Sequence, residues 1–149
     1  MRIDVGTFTV KGGLAARLRW WRARGRSVVL SLLLVTAAGF ASKFYRGPGA
    51  WWFNDHLAGL FYVVFWCLVA LALFPEAPPA RLAAWVLALT CALELLQLWQ
   101  APFLRHVRST FVGRSLIGTT FQVWDFLYYV LGGAIGWYWT RWLSRRRGG

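Results

Sequence analysis

Long apolar blocks alternate with short polar connections along this chain. The first block runs from Ser27 to about Tyr45 and carries no charge until Lys43. The second runs from Leu57 to Phe74 and ends in Pro75-Glu76-Ala77-Pro78-Pro79, a stretch that cannot continue a helix. The third extends from Leu82 to Gln100 and stops before Pro102; the fourth extends from about Phe121 to Leu143. Each block is too long for a strand and lacks period-2 alternation, so all four read as helices. A helix that crosses a bilayer needs about 20 predominantly apolar residues. The pattern therefore predicts an all-α, polytopic membrane protein with four transmembrane helices, at about 27–45, 57–74, 82–100 and 121–143.

The connection from Ala101 to Thr120 is too long for a tight turn. Within it Leu104, Val107 and Phe111 recur at helical spacing, with Arg105 and Arg108 on another face, which predicts an interfacial helix or loop that Gly113 and Gly118 end. Residues 1–26 form a basic amino-terminal segment in which Leu14, Leu18 and Trp21 share a helical face; an interfacial helix and a solvated tail both fit it. Residues 144–149 form a second basic tail. The basic leader, apolar run and Gly39-Phe40-Ala41 also have the layout of a secretory signal, but a 26-residue leader is long for one, so the first block is expected to be a retained span.

Composition agrees with the pattern. Of 149 residues, 58% are hydrophobic and only 15% charged, whereas a soluble domain is roughly 45–50% apolar and about one quarter charged. A core of this size cannot hide that many large apolar side chains from water. These proportions exclude a soluble enzyme, a disordered chain and a disulfide scaffold. The net charge of +12 does not indicate nucleic-acid binding, because eleven of the seventeen Lys and Arg flank the first and last blocks, where topology signals and anionic head groups act. Seven precede the first span and four lie at or after the end of the last, so both termini are expected in the cytoplasm. Trp20 and Trp21, Trp51 and Trp52, and Trp137, Trp139 and Trp142 then fall at interface depths. Arg105, Arg108 and Arg114 are left on the outer side, where carboxylates or lipid phosphates must compensate them.

Polar residues inside the blocks are few. Glu94 and Gln97 stand at i and i+3 on one face of the third helix, Glu94 roughly 9 Å deep; Asp125 lies roughly 6 Å into the fourth helix on the same side. Asn54, Asp55 and His56 precede the second span, again on the outer side. An ionised carboxylate in hydrocarbon must pair, protonate or line a wet cavity. Glu94 and Asp125 are thus the catalytic candidates, and Glu94, Gln97, Arg105, Arg108, Arg114, Asp125, Tyr129 and Asp55 the candidate ligand-binding set. An Arg108 or Arg114 pair with either acid could equally be architectural. His56, without a second His or Cys at ligand spacing, reads as a cap or interface residue, and no metal site or cofactor is expected. Cys67 and Cys91 read as small hydrophobes. Gly132 and Gly136 form a G-x-x-x-G suited to close helix packing, within the chain or against a second copy or another membrane protein.

Glu94-Leu95-Leu96-Gln97-Leu98-Trp99, Ala101-Pro102-Phe103-Leu104, Arg108, Gly113, Gly118, Phe121, Asp125 and Tyr129 resemble a bacterial family of short membrane proteins catalogued only as a domain of unknown function and distantly similar to VanZ-like proteins. Gly47-Pro48-Gly49, Trp51-Trp52 and Asn54-Asp55 fit the same family, and the resemblance covers roughly residues 40 to 143. It implies a four-helix integral membrane protein and no established reaction; the VanZ-like proteins are associated with the cell envelope. The VanZ-like pattern pairs Glu-x-x-Gln in one span with Asp-x-x-x-Asn opening the next; Glu94, Gln97 and Asp125 fit, while Tyr129 replaces the Asn and the intervening loop is longer. Three functions remain open at this stage: recognition of an envelope lipid or lipid-linked head group at an outer-leaflet polar site, an intramembrane hydrolase or transferase using Glu94 and Asp125, and a small assembly subunit of a larger membrane complex. Membrane lipids are the expected partners, and nucleic acid is not.

Overall fold

A computed structural model describes residues 14–97, 109–110 and 124–145. Among these residues the chain is all-α, with four long helices: α1 (Leu14–Phe44), α2 (Ala58–Leu73), α3 (Pro79–Gln97) and α4 (Asp125–Arg145). The helix over α1 does not begin at the apolar block. It runs unbroken for 31 residues, about 47 Å, so Leu14, Leu18, Trp21 and the arginines between them belong to the same helix as Ser27 to Phe44. The expected helix or loop of residues 101–120 lies outside the described residues except at Ser109 and Thr110.

After α1 the chain turns at Gly47-Pro48-Gly49. Gly49 has φ 74°, a left-handed conformation that glycine adopts without a Cβ clash, and the Trp52 N–H closes the turn on the Gly49 carbonyl at 2.9 Å. One helical turn (Ala50–Trp52) and a π-helical turn (Phe53–Leu57) then lead directly into α2. Between α2 and α3, Phe74 closes α2 by donating to Ala70 O at 2.8 Å, and Ala77 N–H donates to Phe74 O at 3.0 Å. Pro79 opens α3, where a missing N–H costs no intrahelical bond.

α2 is the central helix: it packs on α1, α3 and α4, while α4 also packs on α3 and α1 meets α4 only sparingly. Its buried side chains Val63, Val64, Cys67, Leu68 and Leu71 join Val28 and Val35 of α1, Leu82 and Val86 of α3 and Leu143 of α4 in two apolar clusters. α2 and α4 run parallel at close range. A Cβ at Gly132 would stand 2.7 Å from the Leu60 carbonyl oxygen, and one at Gly136 would stand 2.7 Å from Cys67 Sγ. The Gly132–Gly136 notch is therefore filled by α2 of the same chain. Buried hydroxyls bond to their own helices: Ser42 to Gly39 O, Thr90 to Val86 O and Thr140 to Gly136 O, at 2.7, 2.8 and 2.8 Å.

These contacts give the bundle two ends. At one, here called the site end, lie Phe44, the π turn, Gln97 and Asp125. At the other, the basic end, lie the first turns of α1, the α2–α3 turn and Arg145, and there Arg17 of α1 donates to Leu73 O at 3.0 Å, satisfying a carbonyl at the end of α2.

The four expected spans do not carry equal weight. Leu14–Phe44 and Pro79–Leu96 each contain a stretch long and apolar enough to cross a membrane. Ala58–Leu73 is a shorter apolar helix of 16 residues. α4 has 21 residues but is diluted by Gly, Tyr and Trp, so among the described residues two helices qualify by length and composition rather than the expected four.

Candidate functional site

Polar side chains from three helices meet at the site end. Glu94, three residues before the end of α3, is 2% exposed, and Tyr129 Oη of α4 donates to Glu94 Oε2 at 2.8 Å. The contact is possible because Tyr129 lies one turn into α4, where its ring passes over Gly59 at the start of α2. One turn nearer the end, Asp125 opens α4. Its Oδ1 lies 3.5 Å from His56 Nδ1, and the two side chains are 18% and 11% exposed. That separation suits an ion pair when His56 is protonated, but it does not meet hydrogen-bond geometry, and among the described residues Nδ1 is buried without a hydrogen-bond partner.

His56 is fixed on its other faces by aromatic rings. It stacks on Tyr128 with centroids 4.6 Å apart and planes 13° from parallel, and Trp52 meets both rings edge-on. Trp52 Nε1 donates to Tyr128 Oη at 2.9 Å. Trp52 and His56 come from the helical and π-helical turns ahead of α2. A π turn inserts an extra residue into the helical repeat and re-aims the side chains it carries. In the same turn Asn54 Oδ1 is buried without a hydrogen-bond partner. A buried acceptor left in this way costs about 1–3 kcal/mol.

The cluster therefore combines a buried carboxylate with its tyrosine donor, an imidazole beside a second carboxylate, an aromatic wall and an unused amide acceptor. Such a set can orient a polar group by hydrogen bonds, and a carboxylate beside an imidazole can hold that ring for proton transfer. Among the described residues, no three His, Cys, Asp or Glu converge in a manner suited to a metal ion.

Of the residues singled out from the sequence, Glu94, Asp125 and Tyr129 are brought together. The backbones of Asp55 and Gln97 lie at the same end, but their side chains fall outside what is described, as do Arg105, Arg108 and Arg114 altogether. Three contributors escaped the sequence reading. Tyr128 drew no attention beside Tyr129, Trp52 read only as an interface aromatic, and His56 read as a cap. The available signal was position: Asn54, Asp55 and His56 precede α2 at the end where Glu94 and Asp125 also lie.

The fold and site define an all-α protein with a polar cluster at one end of an apolar helical bundle. The chain belongs to a family described as protein of unknown function, DUF2809, whose model matches residues 49–133, a range that contains every residue of the cluster. No curated protein and no solved structure matches it.

Proposed function

We propose that the chain is a multi-pass protein of a bacterial inner membrane, and that the cluster at the site end receives the polar head group of an envelope lipid or lipid-linked intermediate on the outer side. The observation that carries this reading is Glu94: a carboxylate 2% exposed, held by Tyr129 and lying beneath a His56–Asp125 pair in a bundle that is otherwise apolar. Polar groups at that depth are costly unless they pair or serve a ligand.

The membrane reading has support on the bundle's outside. Leu30, Leu34, Phe40, Trp85 and Leu89 are exposed on the two apolar helices, where water would be a poor solvent for them. Every buried hydroxyl named above is satisfied by its own helix, as hydrocarbon requires. The Gly and aromatic residues that dilute α4 are residue types common in membrane helices. Arg17, Arg19, Arg22, Arg24 and Arg145 gather at the basic end, which the positive-inside rule assigns to the cytoplasm and which leaves the cluster outside.

The test is native mass spectrometry of the full chain released from membranes in mild detergent. A co-purifying lipid that is lost from Glu94→Gln and Asp125→Asn, while both variants stay folded by circular dichroism, supports the reading; retention of the same lipids by both variants overturns it. The His56–Asp125 geometry also favours a second reading, a general-base hydrolase or transferase. Breakdown of the co-purified lipid during incubation, abolished by His56→Gln, would select it.

A further inference from the structure

We propose that a groove between α1 and α4, in the half of the bundle toward the basic end, holds an acyl chain of an anionic phospholipid whose phosphate is taken by Arg26 and Arg145. The proposal rests on the membrane reading above but concerns a different site and the opposite leaflet. The groove has a volume of about 420 Å³ and is lined by Leu30, Ser31 and Leu34 of α1 and by Ile135, Trp139 and Trp142 of α4. It exists because α1 and α4 both pack on α2 yet barely on each other. Two of its polar groups bond to each other and to α1: Trp139 Nε1 donates to Ser31 Oγ at 3.2 Å, and Ser31 Oγ donates to Ser27 O at 2.8 Å. Leu30, Leu34, Ile135 and the rings of Tyr138 and Trp142 give an occupant a mainly apolar wall.

Charge identifies the occupant. Arg26 lies one turn before Leu30 on α1, and Arg145 continues the stripe of Tyr138 and Trp142 at i+7 and i+3 on α4. Both arginines are exposed, and the helix directions put both at the basic end of the groove. Their stems can lie along the groove walls while the guanidinium groups reach the interface. An acyl chain with an anionic head group matches both parts, and Arg is suited to bidentate phosphate binding. At its basic end a second copy presents the arginines of α1 and α4 with Glu76 as the carboxylate described among them, so it matches the rim less well than a phosphate does. None of the groove residues falls within 49–133, the range matched by the family.

The experiment uses the full chain in detergent, mixed with phosphatidylglycerol and phosphatidylcholine of matched acyl chains, with bound lipid read by native mass spectrometry. Phosphatidylglycerol is expected to be retained in preference. Arg26→Ala with Arg145→Ala should reduce that preference roughly 30-fold, about fivefold per arginine. Arg26→Lys with Arg145→Lys should keep most of it, and Leu34→Trp, which fills the groove, should remove retention of both lipids. Arg81→Ala, at the same end of the bundle but on α3 and outside the groove, should change none of these. Equal retention of the two lipids by the unmodified chain, or a preference untouched by the double alanine variant, overturns the proposal. So does a detergent dimer that Leu34→Trp dissociates while lipid retention is unchanged, which would assign the groove to a second copy. Release of the chain from membranes by alkaline wash would remove the membrane reading itself, whereas a chain that survives the wash and shows no lipid preference removes only the groove.

Discussion

Tyr129 joins α4 to α3 by donating a 2.8 Å hydrogen bond to the buried carboxylate of Glu94. The pair sits one turn below the His56–Asp125 contact, so the two acids of the site are handled differently: one is held by a phenol inside the bundle, the other faces an imidazole nearer its end.

Tyr129→Phe removes that donor while keeping the ring over Gly59. A hydrogen bond contributes about 0.5–1.5 kcal/mol to a neutral acceptor and about 1.5–3 kcal/mol to a charged one, so the variant should unfold in detergent at lower temperature by an amount in that range. Glu94→Gln combined with Tyr129→Phe should show a smaller loss than the sum of the two single changes. Additive losses in a thermal-unfolding cycle would mean the pair does not couple.

The glycines of α4 make a sharper ranking. At Gly132 an added Cβ meets the Leu60 carbonyl oxygen at 2.7 Å, and backbone cannot swing aside; at Gly133 the nearest atoms are in the Leu87 side chain, 3.7 Å away. Gly132→Ala should therefore destabilise the bundle by about 1–3 kcal/mol, as overpacking does. Gly133→Ala should be neutral or gain up to about 1 kcal/mol from helix propensity. Equal melting temperatures for the two variants would show that α2 and α4 are not in close contact at Gly132.

At the aromatic wall, Trp52→Phe and Tyr128→Phe each delete one end of the 2.9 Å bond between the π-turn region and α4. A double-mutant cycle on thermal unfolding should give a coupling of about 0.5–1.5 kcal/mol, the usual net value of one hydrogen bond. Zero coupling would show that this hydrogen bond does not help to hold the wall.

Helix identity was legible from the apolar blocks because each is long and sparse in charge, and the first three are closed by Gly or Pro. The start of α1 was not. Arg17, Arg19, Arg22, Arg24 and Arg26 end the apolar run, yet Arg is a good helix former, so the backbone continues through them to Leu14. Convergence of Glu94 and Asp125 on one end could be read from depth along each helix. Their partners could not, because depth says nothing about which helices are neighbours. Tyr129 reaches Glu94 only since α2 takes the centre and lets α4 lie beside α3. His56 was hidden for a different reason: the π turn at Phe53–Leu57 breaks the i, i+3, i+4 pattern by which faces are read.

Topology gives the last prediction. The α2–α3 turn at Pro78 and the end of α4 at Arg145 share the basic end, while Gly47 and Pro48 lie in the turn at the site end. If the bundle crosses a bilayer, reporters fused after Pro78 and after Arg145 must fall on the same side, and one inserted at Gly47 must fall on the other. The excess of arginines assigns the first two to the cytoplasm. In a bacterial host, fluorescent-protein fusions at Pro78 and Arg145 should therefore be bright and alkaline-phosphatase fusions there inactive, with the reverse at Gly47. Opposite signals at Pro78 and Arg145 would remove the multi-pass arrangement. The same side with inverted sign would keep the bundle in the membrane but turn the Glu94–Asp125 site toward the cytoplasm, and an outer-leaflet head group could no longer be its ligand.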